Sequence, residues 1–179
     1  MNTGIFTELF PAHTVSSAPE EARPLLEAQQ KDFGFVPLPS ARHATAPAVV
    51  EGFAHLLGTF ERTSLSAMDK EALALALAGK FDCTVCRTIH TGIARKLGAS
   101  PELVEALLAR EGIPDARLAE LVRFVEDTLA TQGKVSEEAL GRFVRTGFTA
   151  RQALEVVVGI ATYTLSIFAN RMTRSESLR

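Results

Sequence analysis

The chain has 179 residues, 46% hydrophobic and 22% charged, with a formal net charge of −2. That is a globular composition for one domain, and a chain of this size buries about 70% of its unfolded surface without disulfide staples. The weak charge, the lack of Trp, the single Tyr and the absence of any Lys/Arg cluster longer than two argue against a nucleic-acid partner and a base-stacking platform.

Residues 1–16 read as an irregular N-terminal arm ahead of one helical domain over 17–179. MNTGIFTELF has no basic region followed by a long apolar run, so it is not a signal peptide, and a cytoplasmic setting is expected. PEEARPLLEAQQKDFG (19–34) has early acids and a terminal Gly, a helix start and stop. FVPLPS (35–40), with two prolines, predicts an extended link. PAVVEGFAHLLGTFER (47–62) opens with Pro, as a first helical turn permits, and its apolar residues recur at three and four. SAMDKEALALALAGKFD (66–82) opens with a Ser followed by an Asp three positions on, a capping-box variant. Its ALALALA core is apolar throughout and lacks β-branched residues, so it reads as helix rather than strand.

CTVCRTIHTGIARKLG (83–98) is the next helix, ended by Lys96 and Gly98. SPELVEALLAREG has Ser100 as cap and Pro101 at its first position. PDARLAELVRFVEDTLATQG (114–133) is strongly amphipathic, and SEEALGRFVRTG (136–147) is a short helix. TARQ (149–152) is a capping box that opens a last helix running to about Met172. Its most apolar stretch, VVVGIATYTLSIFA (156–169), has 14 residues, against about 20 for a membrane span, and reads as a buried or interface helix. With no hairpin signal and no strand, the fold class is all-α, with seven or eight helices.

The chemistry concentrates in KFDCTVCRTIHTG (80–92), which holds both cysteines of the chain. On a helix, at about 100° per residue, Cys86 lies roughly 60° and His90 roughly 20° from Cys83, so the three share a face. Cys83 sits at the helix start, where free N–H groups and the dipole favour a thiolate. His90, one turn below Cys86, suits proton transfer. Arg87 adjoins Cys86 in sequence but points about 100° away and is given no role. Glu71, in the preceding helix, is an acid within an apolar run. It either faces solvent near the first turn or has a partner, because an unpaired buried carboxylate is costly.

In the reducing compartment expected here, a Cys pair is more often catalytic or metal-binding than a staple. Zinc is disfavoured because there is no second Cys pair to complete four ligands. Covalent haem requires His directly after the second Cys, where Arg87 stands, and a thioredoxin-like site requires a βαβ setting. Two inert buried thiols are the bland alternative, but both in one turn with a His on the same face favour a redox dithiol. His55 reads as a packed or surface residue. His13 and His43 fall in loops with no partner in sequence, and Phe33 and Phe35, beside a turn, either line a pocket or, more often for such aromatics, are core.

Glu71, eleven intervening residues, Cys83-Thr84-Val85-Cys86, three residues and His90 resemble the AhpD-like alkylhydroperoxidases of the carboxymuconolactone decarboxylase superfamily. Ala94 and Gly98 fit that family's active helix, and FGFVP (33–37) followed by PAVVEGF resembles its peroxidase-related branch. The resemblance covers roughly residues 30–172. It implies an all-helical fold, assembly as a trimer or hexamer, and reduction of hydroperoxides with no bound cofactor and no metal. It further implies Cys86 as the peroxidatic thiol, Cys83 as the resolving one, Glu71 and His90 as a proton relay, and a dithiol partner that reduces the resulting disulfide. The helix-start argument instead favours Cys83 as the lower-pKa thiol, while helical register puts His90 nearest Cys86. Val85 stands where some members carry a His or an aromatic residue, and Asp82 where Asn is frequent. The Cys pair argues against lactone decarboxylation. A disulfide oxidoreductase for protein partners and a non-enzymatic redox-responsive helical oligomer are the competing readings.

Overall fold

The computed structural model describes residues 4–178. Among them are ten α-helices, one 3-10 turn and no strand. The eight expected helices are present as α2 (Arg23–Phe33), α4 (Pro47–Glu61), α5 (Ala67–Lys80), α6 (Thr84–Lys96), α7 (Pro101–Ala109), α8 (Ala116–Ala130), α9 (Glu137–Arg145) and α10 (Ala150–Met172). Two short ones, α1 (Gly4–Leu9) and α3 (Leu38–His43), are additional.

The differences have local causes. The arm, expected to be irregular, contains α1, which has no buried residue; positions 1–3 lie outside the described residues. The expected extended link over 35–40 ends at Pro37, whose backbone is extended, and α3 then starts with Pro39 in its first turn. A first-turn proline loses no intrahelical hydrogen bond. His43 consequently closes α3 rather than lying in a loop. Phe33, expected in the core, is 61% exposed beside the left-handed Gly34 that ends α2.

Helix α5 is the axis of the molecule. Every residue from Asp69 to Ala78 is buried, and α6, α7, α8 and α10 pack around it. Alternation of Leu and Ala lets this happen: the leucines fill space and the alanines let neighbours close in. Gly79 takes the closest approach, since a Cβ there would stand 2.0 Å from the Leu108 carbonyl oxygen of α7. The start of α5 is fixed by the expected capping box, Ser66 with Asp69, and the buried Asp69 carboxylate also accepts from Arg117.

Helix α10 packs on α4 and α5. It opens with the capping box of Thr149 and Gln152. It is long and apolar enough, by length and composition, to cross a bilayer, which the shorter apolar run seen in the sequence is not. In the fold its inner face, including Val156, Gly159, Tyr163, Ile167 and Asn170, is buried against the other helices. A smaller cluster of Ala18, Ala22, Leu26, Ala44 and Val50 joins the N-terminal third to α4.

Candidate active site

The turn between α5 and α6 sets the site. The Cys83 N–H donates to Ala78 O at 3.0 Å and the Asp82 N–H to Gly79 O at 3.4 Å, the paired bonds of a Schellman helix end. Such an end needs one left-handed residue, and Asp82 supplies it with φ of 50°. Asp and Asn are the non-glycine residues that tolerate this conformation best. Arg171 of α10 clamps the turn, donating from Nη1 to Phe81 O at 2.6 Å and Asp82 O at 3.0 Å. Cys83 is therefore the last residue of one helix end and the N-cap of the next, held by backbone bonds on both sides.

The two sulfurs stand 2.8 Å apart as free thiols. Whichever ionises first accepts a hydrogen bond from the other. The surroundings favour ionisation of Cys83. The contact with Cys86 lowers its pKa, against the opposing effect of burial, and the Cys86 backbone N–H, Asn170 and the charge of His90 act in the same direction, holding it at about 6. The same sulfur contact, then burial and the Cys83 charge, push Cys86 strongly upward, with Asn170 and Ser166 offsetting only part of this. This matches the helix-start argument and runs against the resemblance, which gives Cys86 the attacking role.

Antiparallel packing of α5 and α6 brings Glu71 and His90 together. Glu71 is 7% and His90 8% exposed, and His90 Nδ1 lies 2.8 Å from Glu71 Oε2. The solvent-facing alternative for Glu71 is thereby overturned: the buried carboxylate has its partner. This contact occupies Nδ1 and leaves Nε2 for a second one. Tyr163 of α10 packs edge-on to the imidazole, with ring centroids 4.9 Å apart and planes at 89°, and is itself edge-on to Phe60. His90 is thus fixed from two directions, by a hydrogen bond and by an aromatic wall.

Four participants escaped the sequence reading, all on α10, the first being Tyr163, the aromatic wall on His90. Asn170, 3% exposed, directs Nδ2 at both sulfurs, 3.7 Å from Cys83 Sγ and 3.6 Å from Cys86 Sγ. Ser166 also favours the ionised form of Cys86. Arg171 is the clamp already described. A recess of about 510 Å³ opens between Asp82, Cys83 and Thr84 on one side and Asn170, Arg171 and residues 174–176 on the other. Cys83 lines it; Cys86 does not.

The remaining histidines, Arg87 and Val85 take no part in this centre. Arg87 pairs with Asp82 at 3.2 Å, and Val85 is core. His55 is exposed. His13 lies near Ser17 and Thr45, and His43 is half-buried, its pKa lowered by desolvation to about 4.

The architecture is similar to that of several solved structures. A peroxidase-related protein from Ralstonia eutropha with an alkylhydroperoxidase AhpD core matches with a TM-score of 0.78 at 20% identity, over 90% of this chain and 87% of that one. A peroxidase-related protein from Silicibacter sp. matches with a TM-score of 0.73 at 19% identity, over 94% and 88%. A cysteine-to-alanine variant of the debrominase Bmp8, in complex with 2,3,4-tribromopyrrole, matches with a TM-score of 0.65 at 15% identity, over 89% and 86%. No protein family's model matches the chain, and no curated protein matches it. The fold is AhpD-like and all-α, as the resemblance in sequence implied.

Proposed function

We propose that this protein is a thiol-dependent peroxidase that reduces hydroperoxides with the Cys83–Cys86 pair. The observation that carries the reading is the 2.8 Å sulfur pair set beside a buried Glu71–His90 contact of 2.8 Å. A pair of inert core thiols needs neither a buried acid nor a base.

In the reaction envisaged, His90 holds the proton released by Cys83, with Glu71 balancing the charge. The Cys83 thiolate attacks the distal oxygen of the hydroperoxide. An S–O bond forms as the O–O bond breaks, the sulfur becomes a sulfenic acid, and the departing alkoxide takes the proton from His90. His90 then accepts the Cys86 proton. The Cys86 sulfur attacks the sulfenic sulfur, hydroxide leaves and is protonated, and a disulfide remains. Ring closure needs the sulfurs to approach by only about 0.8 Å, to a bond of about 2.05 Å. A dithiol reductant, small or protein-borne, attacks Cys83 through the recess and returns both thiols. We place this chemistry in a reducing cytoplasm and in a homo-oligomer, most simply a trimer or hexamer.

Cys83 as attacking thiol departs from the role the resemblance implies, and the two assignments are separable. Stopped-flow oxidation with a panel of hydroperoxides is followed by mass spectrometry of the peptide bearing both cysteines. Cys86→Ser should still consume one equivalent of peroxide and accumulate a sulfenic acid on Cys83, while Cys83→Ser should react far more slowly. The reverse pattern returns the attacking role to Cys86. A wild-type protein that ignores all hydroperoxides yet exchanges disulfides with protein dithiols is an oxidoreductase instead.

A further inference from the structure

Asn170 is the only side chain among those described that hydrogen-bonds to both sulfurs at once. A thiolate can only accept, so the amide must turn its NH2 toward the pair and its oxygen away. That oxygen, Oδ1, is buried and has no hydrogen-bond partner among the described residues, although Asn170 borders the recess that opens onto Cys83. A buried carbonyl oxygen without a donor is unfavourable unless something arrives to satisfy it. The rest of the site offers it nothing. Cys83 and Cys86 face the other end of the amide, His90 Nδ1 is taken by Glu71, and no hydrogen bond from His90 Nε2 reaches Oδ1.

We propose that Asn170 is a catalytic residue, its NH2 holding the sulfur pair and its free Oδ1 receiving the O–H of the incoming hydroperoxide. The inference rests on the peroxidase reading above and names the substrate feature that the site recognises. An alkyl hydroperoxide has a single hydrogen-bond donor, and it lies on the distal oxygen. That is also the oxygen a thiolate attacks. An acceptor on the same rigid amide that binds the sulfurs therefore delivers that oxygen to the nucleophile. The substrate oxygen bridges Oδ1 and the Cys83 sulfur, closing a ring through the amide. As the S–O bond forms, the hydrogen stays on that oxygen, which becomes the sulfenic hydroxyl, still donated to Asn170. The electron pair of the O–O bond leaves on the alkoxide, which is protonated as already described.

The test compares two electrophiles on wild type, Asn170→Leu and Asn170→Asp, with helical content checked by circular dichroism. Asn170→Ala stands in for Asn170→Leu should the larger apolar side chain disturb α10. Thiolate midpoints are read from ultraviolet absorbance, and each protein is then assayed above its own midpoint. The electrophiles are tert-butyl hydroperoxide, which has an O–H donor, and N-ethylmaleimide, which has none. Both variants should show a higher thiolate midpoint, because the amide donors are gone. Once ionised, Asn170→Leu should alkylate at close to the wild-type rate but lose about 10²–10³-fold in peroxide rate, as for removal of one oriented polar group. Asn170→Asp, which keeps an acceptor oxygen, should lose less. Equal losses with both electrophiles, or no loss with either, would overturn the assignment of Oδ1 while leaving the peroxidase intact. A wild-type protein inert to hydroperoxide, with thiols that still titrate and alkylate, would remove the peroxidase reading and the Oδ1 assignment with it.

Discussion

Cys83 and Cys86 are chemically identical and three residues apart, yet their surroundings separate them. Cys83 has the helix-start amides, the His90 charge and access to the recess; Cys86 has burial and a neighbouring negative sulfur. The sign of the pH dependence follows. A thiol held at about 6 is mostly thiolate at neutral pH, and its reactivity falls as the pH drops through that value. Alkylation by iodoacetamide with peptide mapping should therefore label Cys83 first, with a midpoint near pH 6 in place of the about 8.5 of a free cysteine. Labelling of Cys86 before Cys83 would refute the asymmetry. Glu71→Gln and His90→Gln probe the proton path. Each should keep its helical content but lose roughly 10²–10⁴-fold in peroxide rate near neutral pH, the usual range for a lost general acid–base group, here the one that protonates the departing alkoxide and then takes the Cys86 proton. Raising the pH above about 9 should not restore it, because Cys83 is already mostly thiolate at neutral pH and the lost step is delivery of a proton to the departing alkoxide. Wild-type rates in both variants at neutral pH would leave Glu71 and His90 a structural pair.

At the scale of helices, what could be read from the sequence divides by range. Caps and periodicity are local, so the eight longer helices and the capping boxes at Ser66 and Thr149 were legible. The Glu71, Cys83, Cys86 and His90 set was legible because one tight link joins the two helices that hold it. Asn170 was not, because it lies more than eighty residues from the sulfurs it touches and stands just past the apolar run, which ends at Ala169. A signal did exist: Thr162, Ser166 and Asn170 recur every four residues through the largely apolar second half of α10, a polar stripe on one face. The short α1 and α3 escaped because neither carries a period long enough to detect. Gly79 and Gly92 give the same scale a paired test. Gly79→Ala would drive a Cβ to 2.0 Å from Leu108 O, prising α7 from α5, and should destabilise by at least about 1–3 kcal/mol. Gly92, exposed within α6, has nothing within 4 Å of its Cβ position, so Gly92→Ala should stabilise by up to about 1 kcal/mol. Urea unfolding checks both, and similar midpoints for the two variants would deny the close packing of α5 and α7.

For the molecule as a whole, α10 presents two faces with different fates. The inner one closes the core and delivers Asn170 to the sulfurs. The outer one carries Leu154 at 73%, Val157 at 48%, Phe168 at 50% and Met172 at 65% exposure, with the exposed Ala161 between them. At about 100° per residue these five positions fall within roughly 60° of one another, so they form a continuous stripe along the helix rather than scattered apolar residues. Stripes of this kind on a globular domain mark contact surfaces, and a bilayer is a poor partner for this one because the opposite face is already committed to the core. We propose a second copy of the chain as the occupant, assembling to a trimer or hexamer. Light scattering of the wild type at micromolar concentration should then give a mass several times that of one chain. Leu154→Glu with Met172→Glu should shift it toward the monomer with little change in helical content, since these are the two most exposed large side chains of the stripe. A monomeric wild type would sink the assembly, and an unchanged oligomer in the double variant would move the interface away from α10.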